Sequence, residues 1–258
     1  MSWDAETYHR VSGPQFQWGQ RVLERLPLEG NETVLDVGCG TGRLTALLAD
    51  RLPRGRVLAL DRDPGMIEQA RRHLAPFGDR VELLVGDAVA LPARGVDAVF
   101  STATFHWVTD HDALFASVRA ALRPGGRLIA QCGGRGNLAR VLDRLDAILQ
   151  EPAIATYFQG VGPAWRFADA GETAARLSRL GFADVAASLT PAPTSFESRE
   201  AYRTFVTAVV LGQRLAPLTD PARRAEVIER IVEQAAHDRP PFSLDYVRLD
   251  LSARRPES

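Results

Sequence analysis

The chain has 258 residues, 45% of them hydrophobic, with 31 basic and 32 acidic side chains and a formal net charge of −1. That length suits one large globular unit with insertions, and the balanced charge gives no basic stripe of the kind that draws a polyanion, so a nucleic-acid partner is not expected. Two cysteines, Cys39 and Cys132, exclude a disulfide framework or a cysteine metal cluster, and the absence of any lysine excludes Schiff-base chemistry and a P-loop.

Residues 1–10 lack the continuous apolar run of a signal peptide or membrane helix, so a soluble, cytoplasmic protein with no membrane partner is expected. The abundance of arginine and alanine fits a GC-rich bacterial genome. Helical spacing follows at Phe16–Leu26. From Thr33 onward, short apolar runs alternate with helical stretches, the pattern of a parallel sheet with crossover helices. Five strands are predicted at Thr33–Val37, Arg56–Leu60, Val81–Val85, Asp97–Ser101 and Arg127–Cys132. Helices are predicted at Leu44–Leu52, at Pro64–Leu74 with Asp63 as N-cap, and at Leu114–Leu122 before an Arg-Pro-Gly-Gly turn at 123–126.

Beyond Cys132 helical spacing returns at Leu138–Leu149, then a segment rich in Gly, Pro and aromatics runs through Trp165 and Phe167, and a helix at Gly171–Leu180 stops at Gly181. Val185–Leu189 and Tyr246–Ala253 read as two further strands, the second with Tyr246, Arg248 and Asp250 outward and Val247, Leu249 and Leu251 inward. Between them lie helices at Arg199–Leu215 and Pro221–Ala236. The expected architecture is α/β: a seven-stranded, mostly parallel sheet with flanking helices in one domain spanning 1–258. Within it, residues 1–30 form an N-terminal lid, 31–135 the binding core, 136–183 and 198–238 helical cover, and 184–197 and 242–254 the final strands.

Directly after the first strand stands Asp36-Val37-Gly38-Cys39-Gly40-Thr41-Gly42. Alternate glycines let the backbone turn sharply and approach a ligand closely. The third glycine falls at 42, where a dinucleotide fingerprint needs it at 43, which disfavours a nicotinamide cofactor. Asp36 beside the loop suits a cationic ligand better than a pyrophosphate, and S-adenosylmethionine (SAM) carries a sulfonium and an ammonium. Asp61 ends the second strand, where a carboxylate can accept both ribose hydroxyl protons, and Asp87 follows the third, within reach of an adenine amino group.

The loop at 36–42, Asp61, Gly86-Asp87-Ala88 and Arg123-Pro124-Gly125-Gly126 together resemble the signature set of class I SAM-dependent methyltransferases, whose fold is Rossmann-like. Trp3-Asp4, Tyr8, Gln15-Phe16-Gln17-Trp18-Gly19 and Thr104-Phe105-His106-Trp107, followed by Asp110-His111, are similar to trans-aconitate methyltransferases, and insect farnesoic acid methyltransferases share the layout. The resemblance implies that Asp36, Gly38, Cys39 and Gly40 hold the methionine portion of SAM, Asp61 the ribose, Arg62 and Met66 the adenine face and Asp87 with Ala88 its edge. The backbone near Ser101 would close on the methionyl side.

Tyr8, Trp18 and Trp107 are candidates for binding a small-molecule acceptor, and Gln15 and His106 for catalysis. A carboxylate acceptor needs no base; its holders would be Gln15, His106 and arginines such as Arg135 or Arg166. A phenol, alcohol or amine would call on His106 as base. The cysteines read as packing residues, and the histidines lack metal-ligand spacing, so no metal is expected. Two other readings remain: a protein that binds SAM or S-adenosylhomocysteine (SAH) without methyl transfer, and a nicotinamide-dependent oxidoreductase. Oligomeric state is not encoded in any feature of the sequence.

Overall fold

The structure, a computed structural model, describes residues 13–257. Its centre is built from short Val- and Leu-rich runs that are buried on both faces, which is why they pair in parallel under two layers of helices. β1 (Thr33–Val37) pairs with β2 (Arg56–Asp61) on one side and with β4 (Val96–Thr102) on the other, and β2 pairs with β3 (Val81–Val85). β5 (Leu122–Gly133) lies parallel to β4. β9 (Val247–Arg254) inserts antiparallel between β5 and β6 (Ala183–Pro191), giving the order β3-β2-β1-β4-β5-β9-β6. The seven-stranded, mostly parallel sheet read from the sequence is therefore present. The order reverses between β1 and β4, so a crevice opens at their carboxyl ends, where sheets of this kind bind ligands.

One face of the sheet buries Leu35, Val37, Val99, Leu128 and Ala130 against Leu114, Phe115 and Val118 of α4 (His111–Ala121) and Leu177 of α6 (Ala170–Arg179). The other buries Val34, Ala98, Phe100 and Ile129 against α1 (Gly13–Glu24), α2 (Arg43–Asp50) and α3 (Pro64–Leu74). A separate apolar cluster joins α5 (Ala139–Leu149), α7 (Arg199–Phe205) and α8 (Pro221–Ala235) into a helical cover, held at its rim by ion pairs of Arg144 with Asp238 and Arg230 with Glu151. No described helix is long and apolar enough to cross a membrane.

Several boundaries differ from the sequence reading by a few residues, and four differences have a clear physical cause or consequence. Helix α1 starts earlier, at Gly13, because Pro14 fits a first helical turn that needs no proline N–H. β5 runs from Leu122 straight through Arg-Pro-Gly-Gly: Val96 pairs with Leu122 and Ala98 with Arg127, so the motif is a bulge inside the strand, with Gly125 at φ 74°. The predicted helix Arg199–Leu215 is broken by a π-helical stretch at Val206–Leu211. The two final strands each shed a short piece, β7 (Thr194–Ser195) and β8 (Ser243–Leu244), which pair with one another.

The outward face assigned to the last strand also needs correction. Tyr246 and Arg248 are both 4% exposed. Their face of β9 looks toward α1, where Trp18 packs edge-on against the Tyr246 ring at 4.9 Å. Period-two alternation separates the two faces of a strand but does not say whether the second face meets water or another helix.

Candidate active site

The glycine loop is folded onto the end of β2. The amides of Gly38 and Cys39 donate to the carbonyl of Leu60, and the amide of Gly40 donates to Asp61 Oδ2 at 2.9 Å. Gly38 has φ 77°, and a Cβ there would stand 2.0 Å from Thr104 Oγ1, so the loop is pressed against the end of β4. Gly40, at φ 55°, has nothing within 4 Å of where its Cβ would be. The first glycine thus serves packing, and the second leaves open space over the crevice that a ligand can fill.

Asp36 lies beneath this loop, 3% exposed, accepting a 2.7 Å hydrogen bond from Thr45 Oγ1 of α2. Burial pushes its carboxyl up to about 7; the Thr45 hydrogen bond opposes the rise and the Asp61 charge adds to it. Asp61 accepts from the amides of Gly40 and Asp63, bridging the loop to the start of α3, yet burial still raises its pKa above the ordinary carboxylate range. Two acids kept close in a low-dielectric crevice are each harder to ionise than in water, and a cationic ligand relieves exactly that cost. The donor set fits SAM on these grounds: a positive charge for Asp36, and unused lone pairs on Asp61 for a diol.

Asp63 caps α3 by accepting from Gly65 and Met66 amides at 2.7 and 3.4 Å, and Met66 in the first turn of that helix is buried. Arg62 is exposed, and exposed Asp87 accepts from the Val89 amide at 3.2 Å at the start of a turn that buries Ala88. The Ser101 hydroxyl donates to the Val37 carbonyl at 2.7 Å and staples β4 to β1. Burial raises the Cys39 thiol well above its ordinary value and the Cys132 thiol to about 12, which leaves both as packing groups. Tyr8 lies outside the described residues. Among those described, no three His, Cys, Asp or Glu side chains converge as a metal site would require.

The wall beside the crevice is aromatic. The His106 ring lies 5.3 Å from Trp107 and stacks at 5.7 Å on Phe167; Trp165 meets Trp107 at 5.3 Å and Phe167 at 5.5 Å. Gly133 leaves the room for Phe167, since a Cβ there would sit 2.7 Å from its ring. The Gly133 amide donates to His106 Nδ1 at 3.3 Å, which places the proton of the neutral imidazole on Nε2. Burial, then the charge of Arg248, then His111 push the His106 pKa down to about 3. The ring is therefore a neutral hydrogen-bond donor at physiological pH, far from the near-neutral pKa a general base needs.

Gln15 and Trp18 both meet Tyr246. Gln15 Nε2 donates to the Tyr246 hydroxyl at 3.3 Å, and its Oε1 is buried without a partner. Arg135 and Arg166 are drawn elsewhere: Arg135, its side chain 69% exposed, is 3.6 Å from Asp169, and Arg166 is paired with Glu172. Trp165, Phe167, Tyr246 and Arg248 were not among the expected site residues. The first two carried a weak signal, an aromatic-rich segment without periodicity; Arg248 carried none beyond its alternation.

A sulfonium-compatible glycine loop with acids at successive strand ends, on a sheet of this order, defines the class I SAM-dependent methyltransferases, and the chain belongs to that family with SAM as its cofactor. A methyltransferase-domain family model matches residues 34–126. Over its whole length the chain is similar to the trans-aconitate 2-methyltransferase of Methylobacterium nodulans, 30% identical over 270 residues and covering 98% of each chain. The trans-aconitate 2-methyltransferase of Azoarcus sp. BH72 is 37% identical over 131 residues, and that match spans half of each chain. A solved Haemonchus contortus phosphoethanolamine N-methyltransferase 2 in complex with phosphomonomethylethanolamine and SAH shares the fold, with TM-score 0.62 at 17% identity, covering 98% of this chain and 57% of that one.

Proposed function

We propose that the chain transfers the SAM methyl group to a carboxylate oxygen of a small organic acid. The observation that carries this reading is the state of His106, the titratable group of the aromatic wall. Its Nδ1 already accepts the Gly133 amide at 3.3 Å and burial holds the ring neutral, so it is poorly placed to take a proton from an alcohol or amine, and an acceptor that is already an anion suits the wall best. The full-length similarity to a trans-aconitate 2-methyltransferase supports the same substrate class.

SAM supplies an electrophilic methyl on a positively charged sulfur. The acceptor oxygen bonds to that carbon as the carbon–sulfur bond breaks with its electron pair going to sulfur, giving a methyl ester and neutral SAH; no proton is released. The chain's work is to position and exclude water. Asp36 and Asp61 hold the cofactor's charge and diol, with Met66 against the adenine face. His106 Nε2–H and the Gln15 amide orient the acceptor, and Trp18 and Trp107 close the wall over it.

The test is an acceptor screen in which the protein, SAM and single organic acids are incubated and both SAH and methyl ester are read by mass spectrometry. Ester formation from small carboxylic acids in step with SAH supports the reading. Methylation confined to amines or phenols, or SAH-binding protein that methylates none of the acids offered, sinks it.

A further inference from the structure

His111 is buried, 2% exposed, and takes no part in the chemistry above, yet it holds the stretch of chain that carries His106 and Trp107. β4 ends at Thr102, and Ala103 follows at φ 54°, in the left-handed region that favours glycine. Phe105–Trp107 then form one tight helical turn. An alanine in that region costs about 1 kcal/mol or more and persists only where its surroundings over-determine it. A single turn closes too few hydrogen bonds to do so by itself. Two clamps from outside the turn supply the rest. The Arg166 amide donates to the His106 carbonyl at 2.8 Å, and His111 Nε2 donates to the Phe105 carbonyl at 3.1 Å. The Phe105 ring packs edge-on against Phe115 at 5.9 Å, and His111 leans edge-on against the same ring at 5.7 Å.

A carbonyl can only accept, so Nε2 carries the proton of the His111 ring, and Nδ1 is buried with no partner. Asp110 caps α4 by accepting from the Ala113 amide at 2.9 Å, which fixes His111 as the first residue of that helix. Burial, opposed by the Phe105 hydrogen bond, holds its pKa below the ordinary histidine value; the charges of Arg166 and Arg176 lower it further, and Glu172 opposes them. The ring is a neutral strut between α4 and the turn. Its hydrogen bond runs to the turn of the acceptor wall and not to the glycine loop, so its loss acts on acceptor geometry before cofactor affinity. We propose that His111 is a positioning residue of the acceptor site: through the Phe105 carbonyl it sets where His106 and Trp107 stand, and it acts on the acceptor through them. This rests on the reading of His106 and Trp107 as acceptor-site residues given above.

The test follows the imidazole nitrogens of the SAH-loaded protein by long-range proton–nitrogen NMR, with SAH calorimetry and trans-aconitate turnover alongside, in wild type, His111→Gln and His111→Phe. Glutamine can place an amide N–H near the position of the histidine Nε2, whereas phenylalanine keeps a ring on Phe115 and deletes the donor. The wild type shows His106 and His111 both neutral with the proton on Nε2, a result that needs no variant. His111→Phe releases His106 into a mixture of tautomers and lowers kcat at least tenfold, with SAH affinity and the KM for SAM within threefold of wild type. His111→Gln restores the His106 tautomer and most of kcat. A wild-type His111 with its proton on Nδ1 overturns the proposal, and so does a His111→Gln protein with a mixed His106 tautomer. A His111→Phe protein whose His106 tautomer and kcat are unchanged, or whose SAH affinity falls in step with kcat as a general loss of structure would make it, overturns it equally. If the wild type does not methylate trans-aconitate, the carboxylate reading loses its first support, while the tautomers of His106 and His111 still decide the role of His111.

Discussion

Asp36 offers a perturbation whose size follows from its surroundings. A carboxyl raised by burial from 3.8 to about 7 must be ionised to face a cation, so at pH 6 about nine molecules in ten need to lose a proton before or as SAM binds. Each pH unit below the pKa then costs about 1.4 kcal/mol, and the SAM affinity of the wild type rises about tenfold from pH 6 to well above 7, with close to one proton released per SAM bound at pH 6. The sign for stability is the reverse. A folded pKa above the unfolded value gives a contribution that is fully present below the ordinary aspartate range and is lost as pH rises through about 7, worth up to about 4 kcal/mol in all. The SAM-free protein should therefore melt at progressively lower temperature between pH 5 and 7.5, and SAM should recover more of that loss the higher the pH. Asp36→Asn keeps a group able to accept from Thr45, flattens both dependences and weakens SAM binding at pH 7.5. Titration calorimetry in buffers of different ionisation enthalpy counts the proton directly. A wild-type affinity that does not change across this range, with no proton released, would refute the assignment of Asp36 to the cationic end of the cofactor.

The two loop glycines should separate by phenotype. Gly38→Ala forces a Cβ to 2.0 Å from Thr104 Oγ1 at φ 77° and should cost about 3 kcal/mol or more of stability in a denaturant melt. Gly40→Ala meets nothing within 4 Å, should cost only about 1 kcal/mol, and should instead lose SAH affinity tenfold or more by calorimetry. Because His106 acts as a donor with a pKa of about 3, His106→Ala should lower kcat about a hundredfold with no new inflection in the rate between pH 5.5 and 8, and His106→Asn should recover part of it; an inflection near 6.5 in the wild type that His106→Ala removes would restore the histidine as a base. Asp63→Ala deletes the N-cap of α3, should cost about 1 kcal/mol, and should weaken SAH by loosening Met66; an unchanged melt would show the cap to be idle.

The core of the fold was readable because its strands are largely apolar runs, those of β1, β2, β3 and β5 ended by a glycine or an acid, and because those endings carry the ligand chemistry. Asp36, Asp61 and the spacing of Gly38, Gly40 and Gly42 pointed to a cationic nucleotide-like cofactor before any contact was seen. What escaped was settled by packing between residues far apart in the chain. The burial of Arg248 depends on α1, more than two hundred residues earlier, laying Trp18 across it. Arg123-Pro124-Gly125-Gly126 carries the residues of a turn, yet β4 holds both sides of it in register and makes it a bulge. Arg135 and Arg166 looked available by charge and position, and surface acids on the neighbouring α6 segment claim them. His106 was visible as a candidate; that its ring is neutral follows first from its burial and then from the Arg248 charge, and the Gly133 amide fixes its tautomer, none of which can be read from the residues beside it in sequence.

The most direct measurement is isothermal titration of the purified protein with SAM, SAH and NADH, beside Asp61→Ala. Binding of both adenosyl compounds, weakened at least tenfold by the substitution, with no uptake of NADH, is the result expected from a crevice built on Asp36 and Asp61. Binding of NADH without either adenosyl compound, or SAM binding indifferent to Asp61, would contradict it.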